Sequence, residues 1–229
     1  MLPVAMSLRI IKTPWGTYTI VVANILVHFL VSGHTNLIIP DRVAHTFGLN
    51  PASFGNLSAV PTLVTSMFLH GDLLHLFGNM VFLLVFGRQV ETQLERINFL
   101  GFYLIAGITA CLAHILMKPD SSAPLIGASG AISGVLGAFF ICNPTARITL
   151  VLDPALIYFL RRLTVRLPAW VFLPVWFFLQ ISLGLKPRAS NVAFWAHVGG
   201  FLAGAVISIA LYRYIPEDRP YPSRVEHRD

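Results

Sequence analysis

Charge is the scarcest property of this sequence. Asp, Glu, Lys and Arg make up 11% of its 229 residues, against about 25% in an ordinary soluble domain. A chain so poor in charge cannot be wetted on every side, which excludes a freely soluble globular fold. Cysteine is nearly absent too. Cys111 and Cys142 fall at different depths of two successive apolar runs, which argues against a bridge between them and favours two small buried hydrophobes. No internal repeat is visible, as an inverted-repeat transporter would show. No cleavable signal peptide separates from the first apolar run. The pattern His-Glu-x-x-His is missing, which disfavours a zinc metalloprotease, and no metal or cofactor is expected.

Apolar residues are what the chain has instead. They reach 55% of the sequence, with a mean hydropathy of +0.72. A membrane-spanning helix needs about 20 mostly apolar residues. Six runs qualify, over about 16–32, 69–90, 97–117, 125–142, 167–185 and 192–212. The fold class expected is therefore all-α, a polytopic six-helix membrane bundle over 16–212, with a cytoplasmic segment 1–15 before it and a cytoplasmic tail 213–229 after it. A shorter run, 148–160, is broken by Asp153-Pro154 and followed by Arg161-Arg162; it reads as interfacial or as part of a loop. The long outer segment 33–68 contains Pro40, Pro51 and Pro61 among apolar residues such as Ile38, Ile39 and Phe54. Its apolar content favours an ordered segment lying partly in the membrane interface.

The basic residues orient the bundle. With the N-terminus inside, only Arg42, Lys118, Lys186 and Arg188 of the 16 Lys and Arg residues fall on outer segments. The positive-inside rule thus favours both termini in the cytoplasm, and a bacterial-type plasma membrane is expected. The pI near 9.7 and net charge of +6 are accounted for by this asymmetry, without nucleic acid.

Polar groups inside a bilayer are costly and normally face a cavity or each other. The second run carries His75 and Asn79, four apart and so on one helix face. The fourth opens with Gly127-Ala128-Ser129-Gly130, and the sixth holds His197 in its early turns. Even-numbered spans run from outside to inside, so these polar residues share one depth toward the outer leaflet. Small residues recur every four positions at Gly130 and Gly134, at Ser133 and Gly137, and at Gly200 and Gly204. Such spacing lets helix backbones approach closely in lipid, which could bring Ser129 within hydrogen-bond reach of His197. A serine activated by histidine is the simplest nucleophilic chemistry available. The plainer reading makes Ser129 a packing residue and the histidine an interhelical donor. For Asn24, His28 and His114 that plainer reading is preferred.

Taken together, His70-x4-His75-x3-Asn79, Gly127-Ala128-Ser129-Gly130 and Ala196-His197-Val198-Gly199-Gly200 with Gly204 resemble the rhomboid family of intramembrane serine proteases. Gly87 and Glu91 look like that family's Gly-x-x-x-Glu turn. The resemblance implies a six-helix core with a Ser–His dyad open to the outer face. Ser129 would be the nucleophile and His197 the base, then the acid for the leaving amine. The oxyanion would be met by the Ser129 N–H and the side chains of His75 and Asn79, with Gly127 letting the loop pass close to substrate. Gly130, Gly200 and Gly204 would support the packing, and His70 would hold the outer loop by a hydrogen bond. No carboxylate is placed to make a triad. Substrates would be transmembrane proteins within the lipid bilayer, cut near the outer end of their spans, with small residues at the bond and helix-destabilising ones beyond. Alternatives are a proteolytically silent rhomboid-like protein that binds membrane clients, and a small transporter. Two departures stand out. The position that often carries an aromatic beneath the histidine is Ser133, which leaves Trp195 or Phe139 as candidates to orient His197. The outer loop also lacks the family's common Trp-Arg pair.

Overall fold

The computed structural model describes residues 2–8, 13–33, 37–151, 164–186 and 192–212. Among the described residues the helices are α1 (Trp15–Val31), α2 (Asp41–Phe47), α3 (Thr62–Thr65), α4 (Leu73–Phe82), α5 (Arg88–Leu94), α6 (Arg96–Met117), α7 (Ser129–Cys142), α8 (Ala169–Gly184) and α9 (Phe194–Tyr212). A π-helical stretch, Leu83–Gly87, joins α4 to α5, so the second apolar run is one continuous helix from Leu73 to Leu94. The result is a polytopic helical membrane bundle. Each of the six runs carries a helix. Three helices among the described residues, Leu73–Leu94, Arg96–Met117 and Phe194–Leu211, are long and apolar enough to cross a bilayer, and α1, α7 and α8 are shorter apolar helices.

Helix ends differ from the runs for identifiable reasons. The second run begins at residue 69, but its helix starts only after Asp72, whose carboxylate accepts the His75 N–H at 2.7 Å. That is an N-cap, and it leaves His70 and Gly71 in the preceding loop. The fourth run begins at residue 125, but Leu125 is taken by a β-bridge to Leu49, and helix starts at Ser129. Gly87 and Glu91, expected in a turn, lie within continuing helix. Both oxygens of the buried Glu91 side chain are used there. They accept the Gly16 and Thr17 N–H groups at 2.7 Å each, and the Thr17 hydroxyl at 2.8 Å. A carboxylate thus caps the N-terminus of α1, where its charge also meets the positive end of the helix dipole.

One feature lies outside the six-run reading: a small antiparallel sheet, ordered β1 (Leu2–Met6), β2 (Arg147–Val151) and β3 (Thr164–Pro168). The first residues of the run taken as interfacial are β2, in which Ile148 and Leu150 are buried between more exposed neighbours. That is the two-residue period of a strand with one face on a core. The remainder of that run, residues 152–163, lies outside the described residues. Because β1 pairs with β2, residues of the segment set apart as 1–15 join the same body as the bundle. The basic residues Arg9, Lys12, Arg161, Arg162 and Arg188, and the tail 213–229, also lie outside the described residues.

At the centre is α7. Nearly all of its side chains are buried, and it packs chiefly against α9 and α6. The small-residue spacing makes this possible. A Cβ added at Gly200 would strike the Gly130 carbonyl oxygen, and one at Gly204 would strike the Gly134 carbonyl. Gly130 itself leaves 2.7 Å between an added Cβ and that of Ala110 on α6. The two backbones therefore touch with nothing between them. Cys111 and Cys142 are both buried, and no disulfide joins them.

Candidate active site

The close approach of α7 and α9 sets the first distance. Ser129 opens α7, and His197 lies in the first turn of α9. The His197 Nε2 is 2.8 Å from the Ser129 Oγ. Both residues are half-buried. As the first residue of a helix, Ser129 has an N–H with no preceding turn to accept it. An α7 of 14 residues rises about 21 Å, short of a hydrocarbon layer about 30 Å thick. The helix alone therefore cannot reach from one face of such a layer to the other.

Gly127, in the loop just before α7, fixes where the donors of α4 sit. Its φ is +121°, a conformation that side-chain-bearing residues rarely adopt. A Cβ there would come within 2.9 Å of the His75 Nε2 and 3.8 Å of the Asn79 Nδ2. The loop backbone thus lies directly against both groups. The Gly71 N–H reaches the His75 Nδ1 at 3.4 Å, which makes Nδ1 the acceptor and leaves the proton on Nε2, facing the site. Asn79 is buried, and its Nδ2 has no protein hydrogen-bond partner among the described residues. The outer loop holds this arrangement from above. Gly127 N–H donates to the Ser66 carbonyl at 2.9 Å, Leu49 and Leu125 exchange backbone hydrogen bonds at 3.0 and 2.7 Å, and the Ala52 N–H donates to Ser121. That loop is ordered into α2, α3 and several 3-10 turns, with Leu57 at 89% exposure and Ile38, Phe47 and Val60 also exposed.

Ser129, His197, His75, Asn79 and Gly127 therefore come together, with Gly130, Gly200 and Gly204 behind them. His70 meets the outer loop at the Phe68 backbone, but not with full hydrogen-bond geometry. It is fully buried, and its ring meets that of His75 edge-on at 5.1 Å between centroids. A backbone hydrogen bond beside it, from the Ile39 N–H to the Gly71 carbonyl at 3.0 Å, also ties the loop. In α1, Asn24 bonds to the Ile20 carbonyl of its own helix at 2.8 Å, and His28 has no partner among the described residues. Neither makes the interhelical bond expected.

Two of the residues around the His197 ring come from α8, and sequence reasoning missed them. The His197 Nδ1 lies 2.9 Å from the Gln180 Oε1. The Trp176 ring sits 6.1 Å from the imidazole at an interplanar angle of 32°, and Phe194 closes the edge at 6.4 Å. Ser133 cannot stack, and its hydroxyl donates to the Ser129 carbonyl at 2.7 Å. Phe139 packs on Phe86 and Trp195 lies against Gly184, so neither of the residues considered for orienting His197 is among its ring contacts.

Comparison with known proteins bears on the same elements. The family model described as Rhomboid domain matches residues 57–214. RHOMBOID-like protein 5 of Arabidopsis thaliana is 32% identical over 152 residues, which is 65% of this chain and 43% of that protein. Rhomboid protease GluP of Bacillus subtilis (strain 168) is 30% identical over 201 residues, 86% of this chain and 35% of the relative. Rhomboid protein 1, mitochondrial, of Saccharomyces cerevisiae (strain ATCC 204508 / S288c) is 28% identical over 165 residues, 69% and 44% of the two chains. The matched stretch is thus less than half the length of each of these three relatives.

Proposed function

The chain belongs to the rhomboid family, and on that premise we propose that it is an intramembrane serine endopeptidase working through Ser129 and His197. The observation that carries this is the 2.8 Å contact between the His197 Nε2 and the Ser129 Oγ. In the reaction, Nε2 takes the hydroxyl proton as Oγ adds to the scissile carbonyl carbon. The carbonyl oxygen, now an anion, is met by the Ser129 N–H, the His75 Nε2–H and the Asn79 amide. Donors set in place before the charge forms need no reorganisation, and one of them can contribute about 10²–10³ in rate. The imidazolium then gives its proton to the leaving amine. Water enters by the same base and frees the serine.

The substrate class follows from depth. A serine sunk below the membrane surface, at the start of a short helix among apolar neighbours, is reached by a segment already in the bilayer. We assign it transmembrane substrates cut near the outer end of their spans, within a six-span body of 16–212 whose basic loops and both termini face the cytoplasm. Among the relatives one is bacterial and others are named mitochondrial, so they do not single out a bacterial-type plasma membrane.

Replacing Ser129 with Ala should abolish cleavage of a model transmembrane substrate in proteoliposomes and leave thermal unfolding unchanged. A fluorophosphonate probe should label folded wild type and not the variant. Full cleavage by the variant would refute the assignment of Ser129. Absence of both cleavage and labelling in folded wild type would instead favour a silent client-binding protein.

A further inference from the structure

We propose that Gln180 is a positioning residue for His197, holding the imidazole in the one tautomer that can accept the serine proton. This rests on the reading of His197 as base. Gln180 is buried in α8, a helix otherwise made almost wholly of apolar residues. A primary amide in such a place is costly unless it is hydrogen-bonded. Its partner is the one His197 nitrogen that does not face Ser129, at 2.9 Å.

The chemistry of that contact is directional. Gln180 Oε1 can only accept, so His197 Nδ1 must carry the proton. Nε2 then holds a lone pair, directed at the Ser129 Oγ at 2.8 Å. An amide turned over would present N–H groups to Nδ1 and put the proton on Nε2, where it blocks proton transfer from serine. A single acceptor thus selects both tautomer and ring orientation.

The helix makes this contact and the ring wall together. Trp176 and Gln180 are four residues apart on α8, so they share a face. One limits the tilt of the imidazole and the other its rotation. A neutral amide also suits the location, since a carboxylate there would bring a second charge-bearing group into an apolar interior. Gln180 touches neither substrate nor the reacting atoms, and its effect passes through His197 alone.

The test uses full-length protein with Gln180→Met, which keeps length and apolar fit but removes the acceptor, and Gln180→Leu as a second variant. Each should lower kcat, and the rate of fluorophosphonate labelling at Ser129, by about 10- to 100-fold, the scale on which a misplaced reacting group loses rate. KM and the thermal midpoint should stay at wild-type values, which a purely structural role would not predict. Independently, ¹⁵N-histidine spectra in micelles, with His197 assigned by its loss in His197→Ala, should show Nδ1 protonated and Nε2 bare in wild type, and loss of that single pattern in Gln180→Met. Wild-type kcat in both variants, or a wild-type imidazole protonated on Nε2, would overturn the inference. Should wild type neither cleave nor label, the protease reading fails, and the spectra still decide the Gln180 contact.

Discussion

Gly127→Ala is a demanding test of the proposed oxyanion site, because the substitution adds one carbon at a place where its neighbours are known. Two costs follow. The backbone there has φ of +121°, which a residue with a side chain adopts only under strain of about 1–3 kcal/mol. The new Cβ would also stand 2.9 Å from the His75 Nε2 and 3.0 Å from its Cε1, whereas non-bonded heavy atoms settle at about 3.5–4.0 Å. The ring must therefore retreat by roughly half an ångström or more. It has little freedom to do so in place, with its Nδ1 on the Gly71 N–H and the His75 backbone N–H held by the Asp72 cap. Moving it withdraws the donor from the oxyanion, so kcat should fall by about 10²–10³, or about 2.7–4 kcal/mol. KM should change little, because the donor acts only once the charge develops. The assay is steady-state cleavage of a transmembrane substrate in proteoliposomes, alongside thermal unfolding. His75→Ala should cost little more when added to Gly127→Ala, since both remove one donor and their effects cannot add. A Gly127→Ala enzyme with wild-type kcat, or full additivity with His75→Ala, would refute the reasoning.

Two further predictions concern the frame. Glu91→Ala removes three hydrogen bonds from the start of α1 and should destabilise the protein by about 2–4 kcal/mol, read as a lowered denaturation midpoint in mixed micelles; an unchanged midpoint would refute the capping role. Gly204→Ala places a Cβ on the Gly134 carbonyl and should cost about 1–3 kcal/mol while also slowing cleavage, because it parts the helices that bring Ser129 to His197. Gly101→Ala is its control, with nothing within 4 Å of the added carbon; in the same measurement it should be neutral or stabilising by up to about 1 kcal/mol.

How far the sequence could be read depended on whether a feature was local. The pairing of His75 with Asn79 follows from a spacing of four, and the approach of α7 to α9 follows from Gly130, Gly134, Gly200 and Gly204. Local spacing does not report what a distant helix contributes, and Gln180 belongs to no motif. A signal for it was present all the same. With the N-terminus inside, as the basic residues lead one to expect, odd-numbered spans would run from inside to outside, and Gln180 lies near the C-terminal end of α8. The depth argument that aligned Ser129, His197, His75 and Asn79 therefore reaches Gln180 too, as an amide in an apolar span at the same level. The strand β2 carries an alternation at Ile148 and Leu150 that the reading as an interfacial or loop segment passed over, and its partner β1 is five residues long and has no pattern of its own. The π-helical stretch Leu83–Gly87 before Arg88 carries no sequence signal of its own.

Hydrogen-bond saturation separates the frame from the site better than polarity does. Glu91 and Thr17 are both buried, yet every oxygen of the Glu91 side chain is committed to the start of α1. Such a cluster can hold a helix but has nothing left to offer a substrate. Around Gly127 the balance is reversed. Asn79 has an amide nitrogen with no protein partner among the described residues, Ser129 has a helix-terminal N–H with no acceptor in its own helix, and His75 turns its Nε2 inward. Buried donors are normally paired, so donors left over and converging on one point require a reason. Incomplete pairing alone is not sufficient, because His28 shows it as well. What distinguishes the site is that its spare donors surround a glycine with no side chain, within reach of a serine whose histidine is held by a second contact from α8. The converging open donors favour a reacting carbonyl there, and the Gly127→Ala measurement tests that reading directly.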